Sequence, residues 1–152
     1  MIRVVLGFDY GRRRTGLAVG NVSTRTVTPL RTIISVGGAP DWHTIEWMIS
    51  EWSPDALVVG EPRGEARSGG TNDAILAEIG RFRRGLGKRF GLPVFTIDET
   101  LSSDEAYHQL RIRRREGIRR SIRRGDIDRV AAALLLETWM NTEPRTDPQS
   151  PQ

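Results

Sequence analysis

The chain of 152 residues has no cysteine, two histidines and one lysine, and aromatic residues make up only 7% of it. The absence of cysteine excludes disulfide bonds, thiolate metal sites and cysteine nucleophiles. No hydrophobic run approaches the length of a transmembrane helix, and the N-terminus lacks the apolar segment of a signal peptide. We therefore expect a soluble, cytoplasmic protein that contacts no membrane.

The positive charge is carried almost entirely by arginine, since Lys88 is the single lysine. The formal net charge is +4 and the sequence pI is near 10.5. This balance favours a polyanionic partner such as nucleic acid. A genomic composition bias would give the same arginine preference, and one sequence does not separate the two explanations.

The length and the 38% hydrophobic content are sufficient for one domain with a real core and too small for two ordinary domains. We predict that this domain spans residues 1–141. Residues 142–152 are polar and proline-rich, which predicts a disordered tail. The sequence leaves open whether the protein is a monomer or a homodimer.

The first apolar run ends in a carboxylate, Asp9, and is followed by glycines and a second apolar run, Gly16–Gly20. This pattern predicts a central strand, a tight turn and an antiparallel neighbour. A buried carboxylate costs several kcal/mol unless a cation or hydrogen-bond donors compensate its charge. Asp9 therefore belongs either to a charged site or, in a simpler interpretation, to the turn that it caps.

The remaining pattern predicts an α/β protein with a mixed sheet of five strands, flanked by helices. A third strand at 26–34 completes an antiparallel meander, and Pro29 favours the sheet edge for it. Two parallel strands are predicted at 56–60 and 93–97, and a mobile loop at 61–71. Helices are predicted at 41–52, from 72 to 90, after Ser102, and through 130–136.

Three carboxylates, Asp9, Glu99 and Asp128, would meet at one edge of such a sheet. Two carboxylates about 4 Å apart repel by roughly 4 kcal/mol at an effective dielectric constant of 20, so the cluster needs divalent cations or shared protons. Because no His or Cys lies near them in the sequence, these oxygen ligands favour Mg²⁺ or Mn²⁺.

Four segments in order resemble the YqgF family, bacterial proteins of RNase H-like fold described as Holliday junction resolvases and as nucleases that trim the precursor of 16S ribosomal RNA. The resemblance covers residues 1–141. It rests on Gly7-Phe8-Asp9-Tyr10-Gly11 with 16–20, Val58-Val59-Gly60 with Pro62, Asp98-Glu99-Thr100-Leu101-Ser102, and Asp128 with Ala131-Ala132. By this resemblance, Asp9, Glu99 and Asp128 occupy the positions of the family's acidic active site.

The resemblance implies hydrolysis of a phosphodiester bond by two metal ions, with the three carboxylates as ligands and Asp9 as the bridging one. The helix dipole would favour the charged form of Asp128 at a helix start. Asp128 could instead only cap that helix, although Asp126 can take the role of the cap. Second-rank candidates are Glu61, Asp98 and Asp126.

Three positions depart from the family pattern: Thr100 stands where the family has Arg, Arg129 where it has a small polar residue, and Glu61 where it has Leu. Related resolvases carry a catalytic glutamate on the fourth strand, so Glu61 stays a candidate. The simpler interpretation of Glu61 is a solvated loop residue. None of the three departures removes a carboxylate of the main set.

The segment between Glu99 and Asp128 contains eight arginines and one glutamate over 111–124. Arginine forks bind phosphate oxygens without reading sequence, so this segment is predicted to clamp a nucleic-acid backbone. A solvated, merely charged face is the alternative. The eight are Arg111, Arg113, Arg114, Arg115, Arg119, Arg120, Arg123 and Arg124.

The predicted function is therefore a metal-dependent nuclease in 5′-end maturation of precursor 16S ribosomal RNA. Resolution of Holliday junctions in branched DNA and a non-catalytic RNA-binding role in ribosome assembly are the alternatives. The start of the motif around Asp9 also occurs in actin-like ATPases and sugar kinases. Those proteins need a second, duplicated domain, for which this chain is too short.

Overall fold

A computed structural model describes residues 1–61, 70–98 and 124–142. The sheet has the order β3-β2-β1-β4-β5, with β1, β2 and β3 antiparallel and with β4 parallel to both β1 and β5. This confirms the predicted mixed five-stranded sheet. The elements are β1 (Val4–Asp9), β2 (Arg14–Asn21), β3 (Thr26–Ile34), α1 (Trp42–Trp52), β4 (Ala56–Glu61), α2 (Gly70–Phe90), β5 (Val94–Asp98) and α3 (Arg124–Asn141).

β1 lies at the centre of the sheet, and residues 5–8 of this strand are fully buried. Because successive side chains of a strand point to opposite faces, β1 contributes to two separate cores. Leu6 and Phe8 pack on the side of α1 and α2, which we name the α2 face. Val5 packs on the side of α3, which we name the α3 face.

Helices cover both faces with apolar side chains. On the α2 face, Ile45 of α1 and Phe82 of α2 pack against Phe8. On the α3 face, α3 packs across β2, β3 and β1 and places Leu136 and Trp139 in the core. Burial on both faces explains the uninterrupted apolar sequence of β4. Among the described residues, no helix has both the length and the hydropathy of a membrane span.

Several local predictions are confirmed. Pro29 lies in the edge strand β3, where its missing N–H breaks no interior ladder. The carboxylate of Asp41 caps α1 by accepting hydrogen bonds from the N–H of Thr44 at 3.3 Å and from its hydroxyl at 2.7 Å. Gly91 ends α2 with a φ of +63°, a left-handed conformation that suits glycine.

Two predicted boundaries are wrong. The loop predicted at 61–71 is shorter at both ends, because Glu61 belongs to β4 and α2 begins at Gly70; residues 62–69 lie outside the described part. α3 begins at Arg124, so Asp128 is its fifth residue, and Asp126 lies within the helix instead of capping it. Apolar periodicity marks only the residues that meet the core, such as Val130 in α3, so it does not show where the first turn begins. The predicted helix after Ser102 and residues 143–152 are outside the described part.

Candidate active site

Asp9 is the last residue of β1 and is half-buried. Its register partner in β2 is Gly16. Directly paired residues of antiparallel strands lie on the same face of the sheet, and alternation from Val5 places Asp9 on the α3 face. The most central strand therefore presents a carboxylate towards α3 at its carboxyl end.

Gly16 determines how closely α3 approaches this point. A Cβ atom built on Gly16 would overlap the backbone carbonyl oxygen of Asp128. The backbone of α3 therefore rests directly on β2, at the residue that is paired with Asp9. This contact sets the backbone of Asp128 against the residue that is paired with Asp9; the meeting of the two carboxylates themselves stays a prediction.

The carboxylate of Asp128 accepts a hydrogen bond from Nε of Arg14, with a distance of 3.0 Å between Nε and Oδ2. Both side chains are about three-quarters buried, with 28% and 24% of their surfaces exposed. Arg14 lies two residues before Gly16 on β2 and so shares the α3 face with it. The guanidinium thus places a positive charge at the candidate site.

Glu61 and Asp98 are placed differently. They are register partners at the carboxyl ends of β4 and β5. Val59 of β4 and Val94 of β5 belong to the core of the α2 face. Alternation along the two strands therefore puts Glu61 and Asp98 on the α2 face, away from Asp9 and Asp128.

The other predicted site residues lie outside the described part of the chain. These are Glu99, the side chains of Asp126 and Arg124, and the arginines at 111, 113, 114, 115, 119, 120 and 123. Thr100 is also outside it, whereas Arg129 is half-buried on α3.

The chemistry of the donor set fits a hard divalent cation. Asp9 and Asp128 offer carboxylate oxygens, the ligands that Mg²⁺ and Mn²⁺ prefer. Within the described ranges, no three His, Asp or Glu side chains are close enough together to bind one metal ion. The two aspartates are two members of the predicted set, whose third member, Glu99, is not described.

A second polar cluster, which was not predicted from the sequence, lies on the α2 face. It includes Tyr10, the residue that follows Asp9 in the chain. The carboxylate of Glu78 accepts a hydrogen bond from Nε of Arg12 at 2.8 Å and one from the hydroxyl of Tyr10 at 3.4 Å. Burial raises the pKa of Tyr10, and the negative charge of Glu78 raises it further. A signal was present in the sequence, because Glu78 occurs in the apolar stripe of α2 four residues before Phe82.

Comparisons with known proteins identify the family of the chain. A family model described as "RuvX: Holliday junction resolvase" matches residues 3–142. A protein of Pseudomonas fluorescens Pf0-1 named "Putative pre-16S rRNA nuclease" is 41% identical over 140 residues, which cover 92% of this chain and 93% of that protein. A Pseudomonas putida protein of the same name is 43% identical over 139 residues, 91% of this chain and 95% of that one.

Among solved structures, T. thermophilus RuvC in complex with Holliday junction substrate matches with a TM-score of 0.52. The match covers 88% of this chain and 91% of that chain at 18% sequence identity, so it shows the shared RNase H-like fold alone. The family match and the identity to relatives over nine-tenths of the sequence establish that the chain belongs to the RuvX (YqgF) family of nucleases.

Proposed function

We propose that this chain is a metal-dependent nuclease that hydrolyses a phosphodiester bond in precursor 16S ribosomal RNA in the cytoplasm. The observation that carries the proposal is the backbone contact between Gly16 and Asp128. It sets the last described helix on β2, at the residue paired with Asp9, and so supports a site that contains both Asp9 and Asp128, which are far apart in the sequence. The names of the curated relatives support precursor 16S ribosomal RNA as the substrate.

Asp9 and Asp128 are the proposed ligands, with Glu99 as the third ligand by resemblance. Mg²⁺ or Mn²⁺ bound there would activate water and stabilise the charge that develops on the phosphate. β1 is hydrogen-bonded to a strand on each side, so Asp9 is held at a fixed place. Its position needs no reorganisation when the substrate arrives, which favours electrostatic stabilisation of the transition state.

Arg14 orients Asp128 through the hydrogen bond from Nε to Oδ2. Its positive charge also offsets the repulsion between Asp128 and Asp9 while no cation is bound. The arginines over 111–124 are proposed to hold the substrate backbone, in keeping with their number and their position between Glu99 and Asp128 in the sequence.

Branched DNA is the second candidate substrate. The family model is described as a Holliday junction resolvase, and the matching RuvC was solved with a Holliday junction substrate. The same carboxylate chemistry would cut either polymer, because a phosphodiester bond is the reacting group in both. Only a direct comparison of substrates separates them.

The test is cleavage of a labelled precursor RNA and a labelled four-way DNA junction with Mg²⁺, Mn²⁺, Ca²⁺ or a chelator. We expect Asp9→Asn to lower metal-dependent cleavage at least about 100-fold, because the variant lacks a charged ligand. Removing one of two repelling charges should leave its metal-free thermal stability equal or slightly higher.

Glu61→Gln is the matched control, since Glu61 ends the neighbouring strand but lies on the α2 face. It should retain most of the activity. A fully active Asp9→Asn variant, or a large loss at Glu61 alone, would show that the site is wrongly placed. Tight RNA binding by a wild type that cuts neither polymer would identify an assembly factor instead of a nuclease.

A further inference from the structure

A cavity of about 680 Å³ opens on the α2 face, one residue beyond Asp9. Its lining includes the side chains of Tyr10 and Trp42 and three arginines, Arg12, Arg81 and Arg89. Neither the predicted site nor the described geometry of Asp9 and Asp128 makes use of this cavity.

One stripe of α2 forms a wall of the cavity. Glu78, Arg81, Gly85 and Arg89 recur at intervals of three or four residues and so lie on one side of the helix. A Cβ atom on Gly85 would lie 3.0 Å from two ring atoms of Trp42. The absence of a side chain at this position lets the edge of the tryptophan ring approach the helix.

Two of the three guanidinium groups are held in place by neighbours. Nε of Arg12 donates to Oε2 of Glu78 at 2.8 Å. The guanidinium carbon of Arg89 stands 4.3 Å from the centroid of the Trp42 ring, at cation–π distance. Such contacts reduce the conformational entropy that these long side chains would lose on binding a ligand.

Arg81 is exposed and makes no ion pair with any residue in the described ranges. Its positive charge reaches Tyr10, where it opposes the rise in the pKa of the phenol. Three arginines thus line the cavity against a single carboxylate, that of Glu78, among its described lining residues. The site is built to attract an anion.

The basic surface continues towards the candidate active site. A second cavity of about 390 Å³ is lined by Arg12, Arg13 and Arg14, and shares Arg12 with the first cavity. Arg14 is the partner of Asp128. Arginines therefore line the surface from the proposed metal ligands, around the β1–β2 turn, to Arg89 on α2, with the carboxylate of Glu78 among them.

We propose that this cavity binds a phosphate group of the substrate backbone, within a few nucleotides of the bond that is cut. The inference rests on the proposed nuclease function. A β-strand rises about 3.3 Å per residue, so the cavity begins only a few ångströms along the chain from Asp9. Successive phosphates of one nucleic-acid strand lie about 3.4 Å apart along a helix axis, so a substrate can contact both places within a few nucleotides. Arginine forks match phosphate oxygens.

The aromatic rings favour a backbone contact over a stacked base. Trp42 already stacks on Phe82, with ring centroids 5.5 Å apart and an interplanar angle of 29°, and it also carries Arg89. Tyr10 packs on Phe82 at a centroid distance of 5.0 Å. Because these rings are engaged with protein groups, the cavity would position the strand without reading its sequence.

The experiment measures binding of a labelled single-stranded RNA oligonucleotide in Ca²⁺, where cleavage is suppressed, over a range of salt concentrations. The test variant is Arg81→Gln/Arg89→Gln. The control is Arg84→Gln/Lys88→Gln, which removes the same charge from exposed positions of α2 that do not line the cavity. Each lost phosphate contact should flatten the slope of log affinity against log salt by about 0.7.

Because the proposal concerns one phosphate group, we expect a slope change of about 0.7 and a loss of affinity of about tenfold or more at 0.1 M salt for the test variant, with a small change for the control. Equal changes in the two variants would overturn the proposal, because they would report net charge only. A mononucleotide that competes as strongly as the oligonucleotide would also overturn it, since the cavity would then be a small-molecule site.

Thermal unfolding of both variants checks that they fold. Failure of the nuclease proposal is distinguishable, because binding in Ca²⁺ requires no turnover. If the Asp9→Asn variant does not cleave RNA but keeps the wild-type salt slope, the result supports a backbone contact in the cavity that is independent of the metal site. A flatter slope in Arg81→Gln/Arg89→Gln than in the control variant would support that contact even in a protein that cuts nothing.

Discussion

Asp9 and Tyr10 are neighbours in the sequence, yet they open onto opposite faces of the sheet and into contrasting surroundings. On the α3 face, backbone rests on backbone where α3 crosses Gly16, and the carboxylate of Asp128 pairs with Arg14. On the α2 face, a helix stands back from the sheet and leaves a cavity lined by three arginines. The proposed metal ligand Asp9 and Tyr10, which lines the proposed phosphate-binding cavity, are therefore one residue apart but on opposite faces of the sheet.

The two faces should also differ in how much change they tolerate. Packing of backbone against backbone has no rotamers to adjust, so the α3 face is rigid at Gly16. The cavity on the α2 face is bounded by long side chains and an aromatic ring, which can move by small amounts. Three substitutions sharpen this comparison.

The largest effect is expected from Gly16→Ala. The new methyl group would overlap the carbonyl oxygen of Asp128, so α3 would have to move away from β2. We expect a loss of about 3 kcal/mol in the free energy of unfolding, and loss of cleavage because Asp128 moves away from Asp9. Urea unfolding and a cleavage assay provide the two measurements.

The matched control is Gly85→Ala on the other face. Its methyl group would meet the ring of Trp42 at 3.0 Å, a contact that a small tilt of the ring relieves. Alanine also stabilises a helix interior by roughly 1 kcal/mol relative to glycine. The free energy of unfolding should therefore stay within about 1 kcal/mol of the wild type. Equal losses at Gly16 and Gly85 would contradict the contrast between the faces.

A smaller effect is expected from Arg14→Gln, which removes the cation next to Asp128. The pair is partly exposed, so metal-free stability should fall by only about 1 kcal/mol. Because the positive charge no longer competes for the carboxylate, added Mn²⁺ should raise the melting temperature more than in the wild type. Arg13→Gln, an exposed residue of the same turn, is the control. The absence of a metal-induced rise in both the wild type and Arg14→Gln would argue against a cation at Asp128.

The smallest effect is expected at high pH from Tyr10→Phe. The pKa of Tyr10 is raised in the folded protein by burial and by Glu78. The protonated phenol therefore contributes stability that is fully present below the unfolded pKa of about 10 and is lost as the pH rises through the folded pKa. The difference in melting temperature between the wild type and Tyr10→Phe should shrink across that range. A difference that stays constant would show that the phenol does not titrate with unfolding.

The sequence alone was sufficient for the sheet, for the edge position of β3 and for a carboxylate, Asp9, at the end of the central strand. These features follow from local patterns: apolar alternation, a proline within a strand, and a carboxylate at the end of an apolar run. The family resemblance added the pairing of residues that are far apart in the chain, and the family match confirms that resemblance.

The face on which Glu61 lies could not be predicted with the same means. It depends on the residue at which β4 begins and on its register with β5, and a shift of one residue would reverse the face. The cavity on the α2 face could not be predicted from the sequence for a similar reason. Arg12, Glu78 and Arg89 come from a turn and a helix that meet only through tertiary packing, so no local pattern links them.

The hydrogen bond between Arg14 and Asp128 spans 114 residues of sequence. During synthesis at about 5 to 20 residues per second, Arg14 therefore exists for roughly 6 to 23 s before its partner is made. The residues that line the cavity, from Tyr10 to Arg89, all precede α3 in that order. On the translating ribosome, the growing chain would therefore gain the proposed phosphate-binding cavity before it gains Asp128, a proposed metal ligand. The order of its elements would then delay cleavage until the last described helix has docked.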